Sequence, residues 1–576
     1  MSYLIKRKSG TKTYWYLAQS VKVDGVSRQK ILKSLGTATD IATKYENSPV
    51  PDIRTNDSKF DKSIVYQFAS VAALMDIAKR LDLEGIIDNH VPKRNQGLTI
   101  GSYMLLAAIN RVVEPTSKNS FYGWFKTTIL GDTYLKADEN SLSSQSFWNH
   151  MVELNQDTIS AIEDDITKLI VEKYRLSTEY LLFDNTNFFT YIDTLNPATI
   201  PQRGHSKEKR TDLKIIGLSL MVTPEHNIPL FHEVYPGNKC DAKQFTDVID
   251  RLKKRSALIS NDNSNITLVF DKGNNSSSIV DILEDNTIYK FYFVGSLRFN
   301  QCPAVLKINR KSYTPLEGDT FGGTSVVRLQ QYIYGRNLTI LITDNPKLRK
   351  SQLIGVRKNV AKCKKNLESL QYRLIQRSKG IIVKGKKPTI DSVIKNVKSI
   401  LSSDYMKQIF DYDIQILKGN ISLTFSINKN KYKEIKQKYL GKTILFTNRD
   451  NWSNEKIVAA YRSQFHVEYA FKQIKNTKYL SFRPVRHFTD KTITVHAFYC
   501  ILGYMLSCLL QREMEELGFK MSINNIIKEL KEKTLTINIV PSTSSHALSM
   551  RHGITTSSEA IEKYVKKFDL LKYVKR

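Results

Sequence analysis

Two short apolar runs limit what this chain can become. Tyr180-Leu181-Leu182-Phe183 runs into Asp184, and Ile266-Thr267-Leu268-Val269-Phe270 runs into Asp271. Runs of that length, rich in aromatic and β-branched residues, read as buried strands. Between and after them the pattern predicts a strand over 214–222, a strand over 228–234 and a helix over 241–256. A short helix and a last strand over 289–294 follow. The turn Pro224-Glu225-His226-Asn227 links the second and third strands into a hairpin. Three strands followed by alternating helices and strands make a mixed sheet with helices on its faces. An acid where a buried strand ends lies at the sheet rim, where α/β proteins place their sites. Taken singly, each aspartate also suits a helix N-cap or a turn.

The rest of the chain divides around that core. Residues 1–60 read as a small basic β unit, with strands over 13–18 and 21–23, a hairpin turn at Asp24-Gly25 and a linker over 48–59. Residues 61–177 read as helical: Leu74, Ile77, Ala78 and Leu81 repeat at helical spacing, and Pro115 breaks the pattern between 111 and 126. The core's first part is 178–300 and its second part 451–515, with a helical region over 516–576. Residues 301–450 interrupt the core with β pieces (332–342, 421–427, 443–447) around one long basic helix. Its apolar seam is Val356, Val360, Cys363, Leu367, Leu370 and Leu374. Between Lys347 and Lys387 there are 14 Lys and Arg against a single acid, Glu368.

Charge narrows the partner. The chain carries 87 Lys and Arg against 56 Asp and Glu, a net +31. Such an excess repels itself in a compact state and makes a polyanion the default partner. Nucleic acid comes first and an anionic membrane surface second. Cys240, Cys302, Cys363, Cys500 and Cys508 are scattered without a CxxC pair, which argues against a disulfide framework or zinc finger and fits a reducing compartment. His205, His226, His232 and Cys240 match no structural zinc spacing. The opening MSYLIKRKSGTKTYWYL has charges in its first apolar stretch, unlike a signal peptide. The run Ala497–Leu510 has 14 residues, shorter than the roughly 20 that a membrane span needs, and reads as a core helix. The expected location is the cytoplasm.

A third acid stands on a helix over 457–475. Tyr461, Glu468 and Lys475 are spaced seven and seven, so they share one stripe, with Gln464 and Lys472 beside it. Ala460, Val467, Ala470 and Ile474 form the adjacent apolar stripe that can pack on the sheet. The plainer alternative is an amphipathic helix with a solvated Tyr/Glu/Lys face.

The paired strand-end aspartates and Tyr461-x2-Gln464-x3-Glu468-x6-Lys475 resemble the DDE transposases of bacterial and archaeal insertion sequences. They are similar to the insertion-sequence-four superfamily, in its long-chain branch with a β-rich insertion before the Glu. Gly204-His205-Ser206-Lys207, Pro236-Gly237-Asn238-x-x-Asp241 and Arg483-Pro484-Val485 share the likeness. Gln464 stands where the family usually carries Arg, and Arg462 lies on another side of the helix.

The resemblance implies an RNase H-like mixed-sheet core interrupted by the β-rich insertion, with the N-terminal basic hairpin and the helical region binding DNA. It implies that Asp184, Asp271 and Glu468 are catalytic and hold Mg²⁺, with Mn²⁺ as a substitute. Mg²⁺ takes oxygen ligands, and two such ions can serve the attacking and leaving oxygens of a phosphodiester. Tyr461, Gln464, Arg462, Lys472 and Lys475 are then expected on DNA. Lys358, Lys362 and Lys365 of the basic helix would track its backbone. The implied partners are terminal inverted repeats and target DNA, with a homodimer joining two ends and no membrane. The rivals are a DNA-binding protein without catalysis and a stand-alone RNase H-like nuclease.

Overall fold

The computed structural model describes residues 2–23, 26–40, 62–92, 97–207, 210–259, 266–284, 291–417, 419–483, 485–541 and 548–574. They fall into two compact units, residues 1–64 with 537–552, and residues 65–536 with 553–576.

The first unit begins with β1 (Ser2–Ser9), β2 (Lys12–Val23) and β3 (Val26–Gly36), an antiparallel three-stranded sheet in the order β1-β2-β3. The expected hairpin is therefore one half of a meander. Pairing runs out to Val23 and Val26, and the turn residues 24–25 and the linker 48–59 lie outside the described residues. A second small sheet has the order β17-β16-β4, from β4 (Lys62–Gln67), β16 (Thr534–Pro541) and β17 (Leu548–Ile554). Two strands thus stand inside the C-terminal stretch read as helical. Thr534-Leu535-Thr536-Ile537-Asn538-Ile539-Val540 alternates with period two and is rich in β-branched residues, which suits a pleated strand.

The second unit is built on a nine-stranded mixed sheet. Its strands are β5 (Tyr180–Phe189), β6 (Ile215–Val222), β7 (Pro229–Pro236), β8 (Thr267–Phe270), β9 (Tyr292–Leu297), β10 (Thr314–Pro315), β11 (Ser325–Ile333), β12 (Arg336–Asp344) and β15 (Lys442–Thr447). The order is β10-β11-β12-β15-β9-β8-β5-β6-β7. β5, β8 and β9 run parallel, and every other pairing is antiparallel. Part of the 301–450 region therefore extends the core sheet. The remainder, with the hairpin β13 (Phe410–Leu417) and β14 (Asn420–Ile427), forms a satellite around the basic helix Pro346–Ser378. Cys363, Leu367, Leu370 and Leu374 of the seam are buried with Val393, Val397 and Phe410, and Val360 packs against them.

Helices cover the sheet. Gln156–Tyr174 and Asp241–Ile259 pack on each other and on β7. Arg255, 2% exposed, ties them together: it pairs with Asp164 and Glu163 and donates to the Leu230 carbonyl at 2.9 Å. His232, one of the scattered zinc-type residues, faces Glu163. The helix Asp490–Glu516 is long and apolar enough to cross a membrane, but its most apolar window is wholly buried inside the protein. It packs on the helices Ala69–Arg80 and Ile100–Val113, so the apolar run serves as a core helix.

Two glycines set the loops beside β5. A Cβ on Gly204 would lie 2.1 Å from the Gly237 carbonyl oxygen, and one on Gly237 would lie 1.9 Å from the Ile215 carbonyl oxygen. The backbones of 204–207 and 236–241 can approach this closely only without those side chains. Gly237→Ala should cost at least about 1–3 kcal/mol by overpacking, seen as a lower urea midpoint at unchanged slope.

Candidate active site

β5 and β8 pair in parallel with Phe183 opposite Phe270. Asp184 and Asp271 are the next residues on each strand. Neighbouring strands are about 4.8 Å apart, so the two backbones deliver their carboxylates side by side. β5 does not end at Asp184 as the apolar run suggested. It continues to Phe189, because β6 still pairs with it after β8 has stopped at Phe270. Asp184 therefore sits at a fork in the sheet. Asp271 keeps an extended backbone (φ −85°, ψ 165°) at the start of a short 3₁₀ turn, and its side chain makes no capping hydrogen bond. The capping alternative is thereby removed for Asp271.

Its carboxylate is held by other groups. The Tyr461 hydroxyl donates to Asp271 Oδ1 at 3.0 Å, and Ser296 Oγ lies 3.3 Å from the same oxygen and 2.8 Å from the tyrosine. Burial, then the Asp271 and Glu468 charges, raise the Tyr461 phenol well above its ordinary range, so it stays a donor. Ser296, at the end of β9, carries no signal in the sequence beyond its place near a strand end.

Burial pushes the Asp184 carboxyl up to about 6, Asp241 and Asp271 add to the rise, and the Lys207 ammonium opposes it. Lys207 lies 3.8 Å from Asp241 and also donates to the Asn185 carbonyl. Asn185 is fully buried and bonded to Ser219 at 2.7 Å and Asn274 at 3.2 Å, which stiffens the strand on the face opposite Asp184. Sequence reasoning flagged Lys207 and Asp241 only as parts of flanking motifs. Asn185, Asn274 and Ser296 were missed.

The expected helix over 457–475 is two helices, Asn454–Arg462 and Phe465–Ile474. At the join Ser463 Oγ donates to the Ala460 carbonyl at 2.6 Å, and the Gln464 and His466 amides bond to carbonyls three residues back. The chain is tightened to 3₁₀ geometry there, as serine back-bonding favours. Ala460, Val467, Ala470 and Ile474 are buried as the pattern required. Gln464 Nε2 reaches the Phe183 carbonyl at 3.4 Å, leaving its buried Oε1 without a protein partner. Lys475 donates to Thr186 Oγ1 at 2.9 Å and lies over the Phe188 ring. The side of the second helix that carries Gln464 and Lys475 thus faces β5. Glu468, one turn after Gln464, is exposed beside it.

The structure thus unites Asp184, Asp271 and Tyr461, with Gln464 and Lys475 anchored on β5. Among the described residues no three His, Cys, Asp or Glu side chains lie close enough together to hold a metal ion, while the Glu468 charge is near enough to raise the Tyr461 phenol. Arg462 is directed elsewhere: it donates to Thr324 Oγ1 at 2.6 Å and covers the Phe321 ring. Lys472 is exposed, as are Lys358, Lys362 and Lys365 on the basic helix, opposite its buried seam.

Residues 5–48 match the model of the IS1634 family transposase N-terminal domain. This match supports a transposase. Among solved structures the chain is similar to a piggyBac transposase synaptic complex with hairpin DNA, at 12% identity and a TM-score of 0.34, covering 79% of this chain and 70% of that one. No curated protein sequence matches the chain.

The raised proton affinity of Asp184 has a stability consequence. The folded state holds the proton to about pH 6, whereas the unfolded chain releases it near the ordinary aspartate value of about 4. Between those values the folded state binds more protons, so stability falls as pH rises through the window and stays lower above it. In a metal chelator, Asp184→Asn should melt at a higher temperature than the unaltered protein at pH 7.5. The gap should close below about pH 4.

Proposed function

We propose that the chain is a DDE-type DNA transposase with an RNase H-like core, cutting at terminal inverted repeats and joining a 3′-hydroxyl to target DNA. The observation that carries this reading is the parallel register of β5 and β8, which sets Asp184 beside Asp271 while Tyr461, on the helix just before Glu468, bonds to Asp271. The match of residues 5–48 to a transposase N-terminal domain supports the same reading independently.

The five strands β7-β6-β5-β8-β9 form an antiparallel meander whose first strand, β5, then continues into two parallel neighbours, consistent with an RNase H-like core. The donor chemistry fits a hard cation. The acids are oxygen donors only, and the elevated proton affinity of Asp184 comes first from burial and then from the neighbouring Asp241 and Asp271. Asp184, Asp271 and Glu468 would hold Mg²⁺ or Mn²⁺. Bound there, such ions supply charge stabilisation to the attacking and leaving oxygens.

The chain's own groups do the positioning. Tyr461 and Ser296 fix the Asp271 carboxylate, and Lys207 offsets the negative charge around Asp184. Lys475, anchored on Thr186, can turn its ammonium to a backbone phosphate as a point charge. Lys472 lies on the exposed side of the same helix. The basic helix presents Lys358, Lys362 and Lys365 along a DNA backbone. We place the reaction in the cytoplasm, on a homodimer that holds two element ends. Gln464 in the place of the family's Arg favours one rival, a DNA-binding protein that no longer cuts.

A duplex carrying the inverted repeats that flank the coding sequence separates these readings. With Mn²⁺, the unaltered protein should nick at the repeat end and give joined product. Asp184→Asn, Asp271→Asn and Glu468→Gln should each lower the rate by about 10²-fold or more while still shifting the duplex in a gel. Binding without cleavage by the unaltered protein would establish the rival. Cleavage that never gives joined product would indicate a nuclease. Replacing Lys358, Lys362 and Lys365 together by Ala should reduce the slope of log affinity against log salt by about 2–3, at roughly 0.9 per lost phosphate contact.

A further inference from the structure

A cavity of about 320 Å³ opens beyond the C-terminal end of β5, and the charge that converges on it has one sign. Arg111, Lys118, Arg483, Arg486 and His487 line it, Trp148 stands among them, and no Asp or Glu is found among the described lining residues. It lies along the same strand as the acids. Thr190, just past β5, bridges to Val485, and the Arg483 guanidinium sits over the Phe189 ring. From Asp184 to Phe189 is five residues, about 16 Å at the rise of a strand.

Hydrogen bonds link the side chains that line it. The His496 Nε2–H donates to the Phe482 carbonyl at 2.9 Å, so its Nδ1 accepts from the Tyr499 hydroxyl at 2.5 Å. Tyr499 accepts from Lys118 Nζ at 3.3 Å. When charged, Lys118 also donates to His487 Nε2 at 3.3 Å, because an ammonium has no lone pair. In that state the proton of His487 is on Nδ1. That atom is buried without any hydrogen-bond partner, in a side chain only 8% exposed. Burial, the Lys118 ammonium and the neighbouring His496 and Arg111 hold the His487 imidazole well below its usual range. Burial and Arg111 push the Lys118 amine down to about 7. Guanidinium groups gathered around an amine whose charge burial suppresses favour a ligand that supplies negative charge and acceptor oxygens.

We propose that this cavity binds a phosphate group of a DNA strand, held by Lys118 and Arg486, with Trp148 (40% exposed) offering its ring to the adjoining base. A phosphate brings at least one negative charge and several acceptor oxygens to a fork of donors. The assignment to DNA rests on the transposase reading, whereas the phosphate site itself does not. A strand lying along β5 would then be gripped a few nucleotides from the carboxylates.

The test is calorimetric titration of the full chain, without divalent metal, using inorganic phosphate and two short single-stranded oligonucleotides that differ only in a 5′-phosphate. Inorganic phosphate should bind and compete with both oligonucleotides. Arg486→Ala, a change at an exposed side chain, and Lys118→Met should each weaken phosphate binding by about tenfold or more. The ratio between the two oligonucleotides tells a terminal from an internal phosphate, and either supports the proposal. Phosphate binding with no competition from either oligonucleotide would overturn the DNA assignment. Absence of phosphate binding, or binding unchanged in Arg486→Ala, would overturn the site. Because no cleavage is read, Asp271→Asn should bind phosphate like the unaltered protein, so failure here is distinct from failure of the transposase reading.

Discussion

Four register pairs, Tyr180–Thr267 through Phe183–Phe270, hold the candidate site together. The aspartates follow the last of these pairs, so their neighbourhood is fixed by backbone hydrogen bonds rather than by side-chain contacts. A slip of one residue would send one carboxylate to the opposite face of the sheet. The register is secured by what lies beneath. Phe183 stacks on Phe245 at 4.6 Å between ring centres, and Phe245 packs against Phe270, so both strands press on the helix Asp241–Ile259. The odd residues of β5 are committed to that side, which leaves Asp184, Thr186 and Phe188 for the helix that carries Glu468.

Burying acids together is unfavourable unless cations answer them, and the chain supplies only part of the answer. Lys207 and Lys475 approach β5 from a loop and from a helix, yet Asp184 still holds its proton to about pH 6. At the far end of the strand the imbalance reverses, with arginine, lysine and histidine gathered and no acid among the described lining residues. One strand therefore joins a region short of positive charge to a region short of negative charge. A polyanion lying along it, with cations at the acidic end, relieves both. This is the electrostatic content of the transposase reading, and it does not depend on the overall charge of +31.

Much of this was legible because apolar periodicity reports burial directly. β6, β7, β8, the helix after Pro236 and the seam of the basic helix all lie where their patterns put them. What escaped depends on pairing partners far away in sequence. The extension of β5 to Phe189 is decided by β6, and Asn185-Thr186-Asn187 has too little apolar character to announce a strand. The joining of β12 to β15, across about a hundred residues of satellite, is likewise invisible to a local window. The site was legible in its acids and not in its supports. Ser296, Asn185 and Asn274 are ordinary polar residues until the fold brings them within hydrogen-bond distance of one another or of Asp271.

Gln464 shows how the fold answers a departure from a motif. A guanidinium at this position would stand one turn before Glu468, against the carbonyl of Phe183. The shorter amide makes that one contact and leaves an oxygen unpaired. Arg462 does not replace it, because the 3₁₀ turn at Ser463 and the contacts to Thr324 and Phe321 commit its charge to another surface. The cations that do act on this neighbourhood are Lys207, whose charge is felt by Asp184, and Lys475, bonded to Thr186. Positive charge at Asp184 thus comes from the β5–β6 loop. The close glycine contact between 204 and 237, which sets that loop against the start of β6, then matters to the electrostatics of the acids as much as to packing.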